Sequence, residues 1–204
     1  MKAFRKLVST ALLALALPAA AHHPLGGATP GNWFEGLLSG LGHPIIGFDH
    51  FLFIVAVGVA CYYFGRHIVT IAAFLAGALA GTLLHLRAPA LPYADALVAA
   101  SLILLGALFW LRSGWLRSNL AIALFAICGI AHGYAYGEAI VGAETTPLLA
   151  YLVAFTVMQF AIALGGYFLA HYAAAKKPTF ALLKMAGGTL SITGAGFLLY
   201  AFAA

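Results

Sequence analysis

Charge is what this chain has least of. Five Asp and Glu with ten Lys and Arg make up only 7% of its 204 residues, where soluble domains carry about 25%. So little charge cannot clothe a soluble surface, and without a basic face the chain is no nucleic-acid binder. Cysteine is nearly missing as well. Cys61 lies near the end of one apolar segment and Cys128 deep within another, so their depths keep them from pairing and both read as free packing thiols. Catalytic and nucleotide motifs are also absent. There is no P-loop, hence no direct use of ATP, and no H-E-x-x-H, while Arg112-Ser113-Gly114 lacks the first glycine of a G-x-S-G serine motif. The chain reads as a non-enzyme without nucleotide or resident cofactor.

What is abundant is apolar: 64% of residues are hydrophobic and 23 are glycine. Lys2, Arg5 and Lys6 precede an apolar stretch of eleven residues, Leu7 to Leu17, which Pro18-Ala19-Ala20-Ala21 closes with an A-x-A site. That stretch is shorter than the ~17 residues a membrane span needs. Residues 1–21 are therefore expected to be a cleavable signal peptide, and cleavage after Ala21 exposes His22-His23-Pro24. Residues 22–204 then hold six apolar segments: His43 to Phe64, His67 to Leu86, Pro92 to Leu111, Asn119 to Gly137, Pro147 to Tyr172 and Thr179 to Phe202. Each can cross a ~30 Å core as a helix, so the expected fold is an all-α bundle of six transmembrane helices in the lipid bilayer. Arg66, Arg112 with Arg117, and Lys176 and Lys177 with Lys184 fall at the first, third and fifth connections, and only Arg87 at an even one. Basic loops stay in the cytoplasm, which agrees with an exported amino terminus. Both ends are expected in the periplasm and the protein in the inner membrane.

All five carboxylates then lie on the outer side. Glu35 is expected ahead of the first helix, Asp95 at the start of the third, and Glu138 and Glu144 after the fourth. Acids gather in such loops because bases are excluded from them. Asp49 needs another reason, because it stands beside His50 at the head of the uncharged run Phe51 to Phe64. An ionisable group inside a membrane is costly and is a functional candidate by default. His43 and His50 are seven residues apart, about 700° on a helix and ~20° short of two turns, so both face one way with Asp49 about 100° round. Pro44 suits the first turn of a helix, and Gly47 leaves room for close backbone approach. Two imidazoles and a carboxylate make an incomplete N/O site for Ni(II), Co(II) or Zn(II) rather than Mg(II) or Ca(II). The alternative is that Asp49 and His50 are hydrogen-bonding glue between helices.

A second polar cluster, Ala131 to Glu138, closes the fourth segment with His132, Tyr136 and Glu138. Gly133 and Gly137 form a small-xxx-small pair, and close packing there is expected to bring His132 against the first helix. His85, at the outer end of the second segment, is a candidate to join them. His67 and His171 lie at inner helix ends and read as interfacial anchors, with Tyr62, Tyr63, Trp110, Trp115 and Tyr172 in an aromatic belt on that side. Met158 reads as core and Gln159 as an interhelical hydrogen-bonding residue, with a place along a permeation path as the alternative.

The two clusters carry a family likeness. His43-Pro44-Ile45-Ile46-Gly47-Phe48-Asp49-His50 matches H-P-x-x-G-x-D-H, and the fourth segment holds His132-Gly133-Tyr134-Ala135. On these motifs the chain resembles the HupE/UreJ family of nickel permeases over its whole length. The resemblance implies metal residues His43, Asp49 and His50 in the first helix, with His132 and Glu138 contributing from the fourth. It also implies supply of Ni(II), or Co(II), to metalloenzymes such as hydrogenase or urease. Many members continue the second motif as H-G-x-A-H-G with an acid beyond. Here Tyr136 stands where the second His would, and Glu138 falls one position early. The expectation is an inner-membrane permease importing Ni(II) or Co(II) from the periplasm, the ion being substrate rather than cofactor. A haem-binding membrane protein and a metal sensor without transport are the alternatives.

Overall fold

The computed structural model describes residues 28–65, 67–88, 91, 93–176 and 179–203. The expected signal peptide and His22-His23 lie outside the described residues, as do Arg66 and Lys177. Every regular element among the described residues is helical: α1 (Trp33–Ile46), α2 (Phe48–Phe64), α3 (His67–His85), α4 (Ala94–Trp110), α5 (Asn119–Gly137), α6 (Thr145–Ala174) and α7 (Thr179–Ala203). Two 3-10 turns, Gly114–Arg117 and Glu138–Ile140, flank α5. The five later apolar segments fold within about two residues of their expected bounds. The first does not.

Helix α1 begins ten residues before His43, and its start is specified locally. Asn32 is the N-cap and its Oδ1 accepts the Glu35 N–H at 3.0 Å, while the Glu35 carboxylate accepts from the Gly31 N–H at 2.8 Å and from Asn32 Nδ2 at 2.7 Å. This reciprocal capping satisfies donors that a helix start leaves open. Glu35 therefore lies inside the first turn of α1, not ahead of the first helix. Pro44, expected at a helix start, lies in the last turn of α1. Its missing N–H removes the bond to the Gly40 carbonyl and weakens that turn. The chain breaks at Gly47, and α2 leaves at 78° to α1.

Four of these helices are long and apolar enough to cross a membrane core, five if α1 and α2 count as one broken span. Helix α4 is apolar but only 17 residues long. Large apolar side chains such as Leu111, Leu120, Ile127, Phe168, Leu199 and Phe202 are mostly exposed on the outside, a surface that lipid accepts and water does not. The protein is a multi-pass membrane protein.

Lipid tails are as apolar as leucine, so the helices associate by backbone approach rather than by hiding hydrophobic area. Helix α3 lies along α5, α4 along α7, and α1 and α2 both pack on α6. A Cβ on Gly129 or Gly133 would strike the backbone of Phe74 or Ala78, and one on Gly58 the backbone of Ala163. Thr82 reinforces the α3–α5 pair, its hydroxyl bonding the carbonyls of Ala78 at 3.0 Å and Gly133 at 2.9 Å. The pair Gly133 and Gly137 thus meets Ala78 and His85 of α3, so His132 reaches the segment His43 to Phe64 as expected, but not through these glycines. His132 is about 100° round α5 from Gly133, so it turns away from that contact toward α2 and α4. Cys61 and Cys128 are both buried, and neither is in a disulfide among the described residues.

Candidate metal site

The break at Gly47 is what assembles the site. On one straight helix, His43 and His50 would be separated by about 10.5 Å of rise. The bend folds them together, so their ring centroids are 6.4 Å apart. Backbone angles at Gly47 (φ −71°, ψ 96°) are open to any residue. Glycine is required by the neighbouring ring, since a Cβ there would lie 2.7 Å from His50 Cδ2. Asp49, in the first turn of α2, accepts the His50 backbone N–H on Oδ1 at 2.8 Å and is 2% exposed. The positive end of the α2 dipole faces this carboxylate.

Helix α5 places His132 opposite. His50 Nδ1 and His132 Nδ1 are 2.9 Å apart, and both residues are buried. Ser101 of α4 sits on the far side, its Oγ 3.0 Å from His132 Nε2 and 2.6 Å from the Val98 carbonyl. A hydroxyl has one proton, and the carbonyl can only accept. Ser101 therefore donates to Val98 and accepts from His132 Nε2–H. That leaves the His132 lone pair on Nδ1, so His50 donates its Nδ1–H to it. The same counting holds for His43. The Tyr151 hydroxyl of α6 donates to the Tyr136 carbonyl at 2.9 Å and lies 3.2 Å from His43 Nδ1. It accepts there, which assigns His43 the Nδ1–H tautomer and puts its lone pair on Nε2.

Aromatic rings wall the group. Tyr136 stacks on His50 with centroids 4.2 Å apart and meets His43 edge-on at 4.8 Å. Phe53 covers His132 at 4.4 Å, and Phe155 closes on Tyr136 at 4.8 Å and Tyr151 at 5.6 Å. The Tyr136 hydroxyl is buried and has no hydrogen-bond partner among the described residues. So the residue that departs from the second motif is stacked on the first.

Among the described residues, no three His, Cys, Asp or Glu side chains are close enough together to hold an ion. What is assembled is the His50–His132 pair, with Asp49 beside it in the chain and His43 next to it in space. Glu138 is exposed in the turn after α5. His85 does not join the group. Its ring lies 4.5 Å from Tyr134 and packs under Gly137. His171 is exposed with its ring against Tyr62, and His67 opens α3. Ser101 and Tyr151, which orient the imidazoles, had no signal in the sequence beyond being polar groups in apolar segments.

The family described as HupE / UreJ protein matches residues 10–197. Protein HupE of Rhizobium leguminosarum bv. viciae is 31% identical over 194 residues, covering 94% of this chain and 96% of that protein. No solved structure matches. With a family match over residues 10–197 and a relative aligned over 94% of this sequence, the chain belongs to the HupE/UreJ family.

Proposed function

We propose that this protein is a permease that imports Ni(II), or Co(II), from the periplasm through a site made by His43, Asp49, His50 and His132, with Glu138 at its outer edge. The observation that carries this reading is the buried His50–His132 pair. With metal–imidazole bonds of about 2.0–2.1 Å, two ligands at a right angle are about 2.9 Å apart, the cis edge of square-planar or octahedral coordination. The pair has that spacing, 2.9 Å between its Nδ1 atoms. For the ion to take the place of the shared proton, His50 moves its proton to Nε2, a tautomer change with no net proton loss. Asp49 supplies the charge that offsets the ion's lost hydration. A haem between the two residues does not suit this packing, because its plane must separate axial imidazoles that are here in hydrogen-bond contact.

The same reading takes α1–α2 as one broken span and α4 as another, for six crossings after removal of residues 1–21, with both ends periplasmic. Non-helical backbone at membrane depth is tolerated where it is buried in protein or lines a cavity, and transporters place substrate sites at such breaks. Uptake of radioactive nickel and cobalt by cells with and without the chain tests this proposal. His50→Ala and His132→Ala should each abolish most of the uptake, and the double substitution should add little. Independent, multiplicative losses would mean two separate sites, and no uptake by the unsubstituted chain would mean no permease.

A further inference from the structure

Gln159 sits at the midpoint of α6, is fully buried, and has neither its amide nitrogen nor its amide oxygen hydrogen-bonded among the described residues. Its expected role, a hydrogen bond between helices, is not seen. A buried amide without partners is destabilising, and each such group in a folded protein calls for an explanation. Its place on the helix supplies one. Tyr151, Phe155 and Gln159 follow at intervals of four, so they share a flank of α6. Tyr151 holds His43, and Phe155 packs on Tyr136. Gln159 is the next residue on that flank, about 6 Å of helix rise further into the membrane. Half-buried Met158 beside it is not on this flank.

We infer that Gln159 is a second station for the cation, receiving it from the histidine site and carrying it across the middle of the membrane. The inference rests on the permease reading above. An amide oxygen is a neutral ligand and a weaker one than imidazole for Ni(II) or Co(II). That suits a position the ion must enter and then leave, since conduction fails where binding is too strong to release. Both partnerless atoms are explained at once: Oε1 faces the passing ion and the NH₂ group can hydrogen-bond to water that accompanies it.

The test is Gln159→Leu in the full-length protein, with Gln159→Met as a second apolar variant and Gln159→Asn as the amide-retaining one. Since no hydrogen bond is lost, the Leu and Met chains should reach the membrane normally and melt at the same temperature or higher. Nickel binding to the purified protein should persist, while nickel uptake should fall at least tenfold. Gln159→Asn should recover part of the rate. Uptake by the Leu and Met variants at the unsubstituted rate would overturn the inference, as would a loss of uptake matched by a loss of melting temperature. If the unsubstituted chain transports and the variants equal it, only the second station is removed. If the unsubstituted chain transports neither ion, the permease reading falls and the station with it.

Discussion

Asp49 is the carboxylate that the distribution of charge across the membrane leaves unexplained, and it is buried at the head of α2 beside His50. Asp49→Asn keeps its size and its hydrogen bond to the backbone but removes the charge that offsets ion desolvation. Uptake should fall by at least about tenfold, equivalent to ~1.4 kcal/mol, at a normal protein level in the membrane. Asp49→Glu should recover part of it. Near-normal nickel and cobalt uptake by Asp49→Asn at equal expression would remove Asp49 from the ligand set. His43, Asp49, His50 and His132 were legible in the sequence because an imidazole or carboxylate inside an apolar run stands out against its cost. Ser101 and Tyr151 were not, because a hydroxyl in a span can bond within its own helix, as Thr156 does to the Leu152 carbonyl at 2.7 Å. Which partner it chooses depends on what the helix faces.

At the scale of elements, the break between α1 and α2 decides the site. Pro44 and Gly47 mark it in the run His43 to Phe64, but Pro44 suits a helix start equally well, and helical periodicity is of little help because the lipid face and the protein face are equally apolar. Helix α1 itself was not legible because Glu35, Ser39 and three glycines dilute its hydropathy. Helices α3 to α7 were legible from length and loop punctuation alone. The reason for Gly47 is a local contact, its closeness to the ring of His50 three residues on, and that gives a sharp test. Gly47→Ala should force the imidazole aside, lowering stability by roughly 1–3 kcal/mol and reducing uptake as far as His50→Ala does. Gly165→Ala is the control, since nothing lies within 4 Å of a Cβ there. It should be neutral or stabilising by up to ~1 kcal/mol and transport normally. Melting in detergent together with uptake measures both. Full transport by Gly47→Ala would separate the bend from the function.

At the scale of the molecule, α1, α2, α4, α5 and α6 each bring a side chain to one buried group, His43, His50, Ser101, His132 and Tyr151. The remaining helices brace them, α3 against α5 and α7 against α4. The proposed topology, six crossings with both ends periplasmic, predicts that alkaline phosphatase fused after Ala204 is active. An inactive fusion, with an active cytoplasmic reporter at the same position, would reverse the orientation and put the histidines on the wrong side for import. The most direct measurement is X-ray absorption at the nickel edge on the purified, nickel-loaded protein. The shared site predicts imidazole nitrogens at about 2.0–2.1 Å, with one fewer in His50→Ala and one fewer in His132→Ala. A shell of oxygens alone, or a spectrum that neither substitution changes, would contradict it.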